Sequence, residues 1–305
     1  MNAIECRGIT KRYPDFALEQ LDLTLAQGTV LGFVGPNGAG KSTTIRIIMG
    51  LVHQDSGSAT VLGHAMPEQQ VAAKWNIGFV SEDMRLYGHR TIGFHVDFLR
   101  SIFPSWDDNY AQSLMKRFEL NPAQKVKGLS HGQRVKAALL TVFARRPQLL
   151  VLDEPTTGLD PVARKVIMEE LMKVMEDDTR SVLFSSHNTL EVEQMCDHIV
   201  FINQGKVVAN DDKETFLDSW RRLRMVAADD YPLPSNAQMV DCQRSGSQLV
   251  MTLSNYDAAL EQQIRDSGGE IRQVERLTLE EIFVLSVESQ RDGKASLSMP
   301  RGIAA

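Results

Sequence analysis

The sequence predicts an α/β protein: a mainly parallel sheet flanked by helices, interrupted by a helical insert and followed by a small α+β module. Three observations predict it. Short apolar runs of strand length alternate with helical runs. A glycine-rich loop, "GPNGAGKST" (35–43), joins one such strand to one such helix. After about residue 211 the alternation gives way to a hairpin, a helix, a strand and a last helix.

In chain order, the first 60 residues read as strands leading into a helix. "VLGFVG" is a short buried strand, and "KSTTIRIIMGLV" is helical with Gly50 near its end. "NIGFVSED" (76–83) is a strand running into a loop. Over 91–120, Trp106, Tyr110, Leu114 and Phe118 recur every four residues. They lie behind a cap at Ser105 and before the stop Asn121-Pro122, a helical pattern inside an insert spanning about 85–148.

"LSHGQR" (129–134) opens another helix, because Ser130 and Gln133 stand at capping-box spacing ahead of "VKAALLTVFA". "LLVLDEP" (149–155) is a buried strand, "VARKVIMEELMKVMED" a helix, "SVLFSSH" a strand, "LEVEQMCD" a helix and "HIVFINQGKVV" a strand and turn. Beyond 211, "QMVDCQR" and "QLVMTLS" flank "SGS" as a hairpin. "YDAALEQQIRDSGG" is a helix and "EIRQVE" a strand. "TLEEIFVLSVE" is a helix capped by Thr278 and Glu281. Residues 290–305 hold few large apolar side chains and are expected to form a disordered tail.

The net charge of −6 gives no reason to expect general affinity for nucleic acid. No stretch approaches the run of about 18 apolar residues that a membrane span needs, and the start lacks the apolar core of a signal peptide. The expected location is therefore cytoplasmic. Cys6, Cys196 and Cys242 are scattered and read as reduced and structural. Cys196 with His198 offers too few ligands for a metal.

The loop 35–43 matches G-x-x-x-x-G-K-[ST] in the strand–helix context that the motif requires. The backbone of Gly35, Pro36, Asn37, Gly38, Ala39 and Gly40 is expected to close on phosphate oxygens. Lys41 reaches the β- and γ-phosphates, and the Ser42 hydroxyl ligates Mg²⁺. "LLVLDEP" supplies the rest: Asp153 for the metal shell and Glu154 to polarise a water. A helix start at Ser130 is a second anion site, far along the chain from the first.

This motif set, with "GLD" after "LDEP" and a histidine ending the next strand, resembles the ATP-binding cassette of ABC transporters over roughly residues 3–210. The resemblance implies a P-loop NTPase core of RecA-like fold, ATP and Mg²⁺ as ligands, and ATP hydrolysis. It implies that two cassettes meet head to tail as a homodimer or heterodimer, so that "LSHGQ" faces the γ-phosphate held by the other copy. Lys41, Ser42 and Thr43 look like the phosphate and Mg²⁺ contacts, and Ser130, Gly132 and Gln133 match the signature. Tyr13 resembles the aromatic that stacks on adenine, Asp160 the aspartate that links the cassettes, and His187 the histidine that contacts the γ-phosphate. The domains expected are a cassette over 1–210, an accessory module over 211–289 and the tail.

Two positions depart from the family pattern. His131 stands where the signature commonly has glycine; it is expected to leave the Ser130 contact intact and to lie at the interface between copies. Glu82 stands where a glutamine is usual and is expected to ligate the metal or orient water. Glutamate there, with the C-terminal "LTLEEIFVLSV", is similar to the drug- and polysaccharide-exporting branch. The expected function is the ATP-hydrolysing subunit of an exporter, docked on the inner face of the membrane through separate membrane-spanning permease subunits. The alternative is a cassette ATPase acting on ribosomes or DNA. A single P-loop, the lack of a sustained heptad run and only one basic cluster, "RRLR" (221–224), weigh against it.

Overall fold

The computed structural model describes residues 1–81, 83–228, 231–232, 234 and 236–291. Two strands open the chain, β1 (Asn2–Tyr13) and β2 (Phe16–Ala26), and the buried strand β3 (Val30–Val34) leads into α1 (Lys41–Ile48). β4 (Ser56–Val61), β5 (His64–Met66), α2 (Gln70–Lys74) and β6 (Ile77–Ser81) follow. The insert holds α3 (Ile92–Ile102) and α4 (Asp108–Arg117), and α5 (His131–Phe143) runs from it into β7 (Leu149–Asp153). α6 (Pro161–Met175), β8 (Ser181–Ser186), α7 (Thr189–Met195), β9 (His198–Asn203) and β10 (Lys206–Asp212) complete the main body. The rest is α8 (Lys213–Ser219), β11 (Arg221–Val226), β12 (Met239–Ser245), β13 (Gln248–Leu253), α9 (Ala258–Asp266), β14 (Glu270–Arg276) and α10 (Leu279–Arg291).

The central sheet runs β10-β9-β3-β8-β7-β6, parallel except for the edge hairpin strand β10. Its inner strands read as unbroken apolar runs because both faces are covered. Leu31, Phe33, Val151 and Leu183 face α1 and an antiparallel sheet of order β2-β1-β4-β5. Val34, Leu152, Val182 and Phe184 face the helical side with α5, α6 and α7, and Ile92, Leu114 and Phe118 of the insert join that same core. This is the P-loop NTPase architecture expected, with its loops gathered at the carboxyl ends of the parallel strands.

The insert corrects one detail. The residues spaced every four lie on and beside α4, and Asp107, not Ser105, caps that helix by accepting from Tyr110 N at 2.9 Å. The Ser105 hydroxyl instead donates to Arg145 O at 2.8 Å. A buried carboxylate, Glu170 of α6, anchors the insert: Tyr110 Oη donates to it at 2.8 Å, and Arg117 Nε lies 3.1 Å away. Burial, reinforced by Glu170, pushes the Tyr110 phenol up from its ordinary pKa.

The C-terminal sheet, of order β12-β13-β11-β14, packs one face on α9 through Leu223, Met251, Leu253 and Ile264. α10 then returns to the main body, where Leu279 and Ile282 enter the central core and Phe283 lies 5.2 Å from Phe201. The capping box at Thr278 and Glu281 forms as expected. The "RRLR" cluster is strand β11 rather than a basic surface. Arg221 is buried, Arg222 pairs with Glu281 at 3.0 Å and Arg224 with Glu275 at 2.9 Å. The expected boundary at 210 falls inside β10, and the tail expected at 290–305 lies, from 292 on, outside the described residues. Cys6 and Cys196 are buried, and burial pushes the Cys6 thiol up to about 12. Cys242 is exposed on β12, so it is not a core residue.

Candidate functional site

β3 delivers the loop 35–40 to the N-terminus of α1. Gly40, with φ +115°, makes the turn; a Cβ there would stand 2.6 Å from Leu18 and 2.9 Å from Phe16. Only glycine takes that backbone so close to its neighbours. Lys41, 4% exposed, donates from Nζ to Gly35 O at 2.6 Å. Ser42 and Thr43 follow in the first turn, half-buried. Tyr13 closes β1, half-exposed, and stacks at 6.5 Å on Phe16. Because Phe16 borders Gly40, Tyr13 is brought to the rim of the same loop.

β7 and β8, paired in parallel, bring the second set of residues to the same end of the sheet. Ser185 Oγ donates to Asp153 Oδ1 at 2.7 Å, and Glu154 N donates to Ser185 Oγ at 3.1 Å. Glu154 is held in the left-handed backbone region, φ 53°, a conformation that costs a non-glycine residue about 1–3 kcal/mol and is common at functional sites. Its carboxylate is shared. Oε1 lies 3.1 Å from Lys41 Nζ, off the line of a hydrogen bond. Oε2 accepts from Thr157 Oγ1 at 2.9 Å and lies 2.8 Å from His187 Nδ1. Lys41, Glu154 and His187, scattered over 147 positions of sequence, therefore form one cluster.

The signature residues sit apart from this cluster. Ser130 caps α5, its hydroxyl accepting from Gln133 N at 3.2 Å while Gln133 Oε1 accepts from Ser130 N at 3.0 Å. Among the described residues, no hydrogen bond or ion pair joins Ser130, Gly132 or Gln133 to the loop 35–43. His131 reaches the other way, to Thr157 O at 3.0 Å. Asp160 caps α6, and the N–H groups of Ala163 and Val162 hold its carboxyl below the usual range.

The residues fit a magnesium nucleotide. A narrow glycine turn, a buried lysine and hard oxygen donors at Ser42 and Asp153 suit phosphate and Mg²⁺. Glu82, the third expected ligand, lies outside the described residues, which hold no group of three His, Cys, Asp or Glu side chains placed to bind a metal ion.

A family model described as "ABC transporter" matches residues 18–157, from β2 through the loop that follows Glu154. Curated relatives agree. The chain is 34% identical over 220 residues to "Nod factor export ATP-binding protein I" of Rhizobium johnstonii, covering 68% of each. It belongs to the ABC transporter family, as an ATP-binding cassette protein. The chain is also 28% identical over 292 residues to "ABC transporter ATP-binding protein YtrB" of Bacillus subtilis, covering 94% of this chain and 99% of that one. The same fold is seen in a solved "ATP binding subunit of ABC transporter", with TM-score 0.63 and 24% identity over 69% of this chain and 90% of that one. A dimeric cassette bound to ADP and Pi matches with TM-score 0.62 and 23% identity, covering 69% of this chain and 98% of that one.

Sequence reasoning passed over three residues that hold this site. Ser185 orients Asp153, Thr157 orients Glu154, and Glu191 binds the two loops together. Glu191 is buried, accepting from Thr156 Oγ1 at 2.7 Å and Ser186 Oγ at 3.2 Å, with Arg164 Nε 3.3 Å away. Its signal is a carboxylate in the first turn of α7, four residues after His187.

Proposed function

We propose that the cassette hydrolyses Mg-ATP and drives export through separate membrane-spanning subunits. The observation that carries the proposal is the convergence of Lys41, Glu154 and His187 at the carboxyl end of the parallel sheet. The backbone of 35–40, with Lys41, Ser42 and Thr43, holds the phosphates, and Tyr13 lies against the base. Ser42 and Asp153 hold Mg²⁺, which neutralises charge on the phosphates when bound. Lys41 lies between Gly35 O and Glu154, so an anionic phosphate competes with both for its ammonium. Glu154 takes a proton from the attacking water, and Thr157 and His187 hold its carboxylate in place for that step.

The reading includes a second copy or a related cassette, whose nucleotide meets Ser130, Gly132 and Gln133 and whose surface meets His131 and Asp160. It divides the chain into a cassette followed, from about residue 211, by an accessory module. It places the protein on the inner face of a membrane, beside the membrane-spanning subunits; among the described residues no helix is long and apolar enough to cross one. The coupling surface is the insert. Tyr87 (67% exposed), Phe98 (46% exposed) and Phe94 form an aromatic patch, with Phe94 stacked on Phe98 at 6.2 Å. These three face outward, while Phe103 and Trp106 are half-buried. Aromatics in an exposed patch suit a partner helix. The relatives named for Nod factor export favour the outward direction.

The test is phosphate release by the purified chain with Mg-ATP, beside Lys41→Ala. The wild type releases phosphate, and Lys41→Ala neither hydrolyses nor binds ATP tightly. Equal turnover in the variant overturns the assignment. Recovery of the native protein with ribosomes or DNA, and not with membranes, overturns the transport reading.

A further inference from the structure

The geometry points to His131 as a positioning residue for Glu154: it latches the loop after β7 onto the start of α5, and through Thr157 holds the Glu154 carboxylate in its working orientation. This rests on the ATPase reading above. His131 Nε2 lies 3.0 Å from Thr157 O, and since a carbonyl only accepts, the ring donates from Nε2. Thr157 is the residue that also donates from Oγ1 to Glu154 Oε2 at 2.9 Å, and its N–H reaches Glu154 O at 3.3 Å. The residue that orients the carboxylate is therefore itself held by the histidine.

The contact is close along its length. A Cβ at Gly158, φ +71°, would stand 3.4 Å from His131 Nε2, so the ring lies against the bare backbone of the loop. The base of the latch is rigid because His131 is the first residue of α5, inside the Ser130–Gln133 capping box. The other end of the loop is pinned by Asp160 at the start of α6. A glycine at 131 offers no donor to Thr157 O. The latch also has a consequence for two sites at once. Ser130, next to His131, serves the nucleotide of the other copy in the reading above, whereas Glu154 serves the chain's own. His131 thus joins the two within one chain.

The test compares wild type, His131→Gly, His131→Gln and Thr157→Val by steady-state phosphate release, with nucleotide affinity measured separately. His131→Gly lowers kcat about two- to tenfold, the range that one net hydrogen bond supports, and leaves nucleotide affinity unchanged. His131→Gln, whose amide also donates, restores most of the rate. The double variant His131→Gly with Thr157→Val is no slower than Thr157→Val alone, because both act through one chain of contacts. In a Glu154→Gln background, His131→Gly still shows the ATP-dependent mass doubling, because Ser130, Gly132 and Asp160 remain to meet the second copy, and this separates positioning from a lost interface contact. An unchanged kcat, no rescue by glutamine, additive losses or a lost dimer each overturn the inference while leaving the ATPase reading in place. A wild type that releases no phosphate overturns both.

Discussion

Lys41 Nζ stands 3.1 Å from Glu154 Oε1, and neither side chain is more than 10% exposed. An ion pair this buried costs desolvation on both sides. It persists because the loop after β3 and the end of β7 bring the two residues together at the same end of the parallel sheet. Gly35 O takes one of the ammonium protons, and Thr157 and His187 meet the far oxygen of the carboxylate. In the proposed reaction, lysine and glutamate hold one another beside the place where phosphate and water meet.

Glu154→Gln keeps the shape of this cluster and removes its base. Hydrolysis falls by about 10²–10⁴-fold, the usual contribution of a positioned acid or base. ATP then persists between two copies, and light scattering with Mg-ATP shows the mass double. Adding Ser130→Arg at the α5 cap prevents the doubling. A Glu154→Gln protein that is saturated with ATP and remains monomeric contradicts the shared site.

Tyr87→Glu with Phe98→Glu places charge on the aromatic patch of the insert. Both positions are exposed, so stability changes by no more than about 0.5 kcal/mol for each. ATP binding is unaffected, and the protein co-expressed with its permease moves from the membrane fraction to the supernatant. Retention on membranes at wild-type level shows that the load is carried elsewhere.

Ile282→Ala opens a cavity where α10 docks on the main body, since Ile282 is fully buried in the central core. Such truncations cost about 2–5 kcal/mol, and thermal unfolding registers this as a Tm lower by several degrees. Nucleotide affinity of the folded protein stays the same, because among the described residues no hydrogen bond or ion pair joins α10 to Lys41, Ser42, Asp153, Glu154 or His187. An unchanged Tm means that α10 is not part of the folding unit of the cassette.

Much of this protein is determined by local sequence. The strand "VLGFV" feeding "GPNGAGKST" is enough to specify a phosphate loop, since a buried apolar run, a glycine turn and a helix start each act within a few residues. The capping boxes at Ser130 and Thr278 form where their spacing predicted. The choice of Asp107 over Ser105 as the cap of α4 was not legible, because both residue types cap helices and only the docking of Ser105 on Arg145 separates them. Likewise "RRLR" has the composition of a basic patch, and only the alternation of β11 between α9 and its acidic neighbours turns it into a paired strand. The site itself is tertiary. Glu191 and Thr157 carry no motif, yet one ties together the loops bearing Glu154 and His187 and the other orients the carboxylate. Lys41, Glu154 and His187 are identified by type and order in the sequence, but their meeting depends on β3, β8 and β7 lying side by side in parallel register. That register is fixed by long-range packing of both sheet faces, which no local window of sequence encodes.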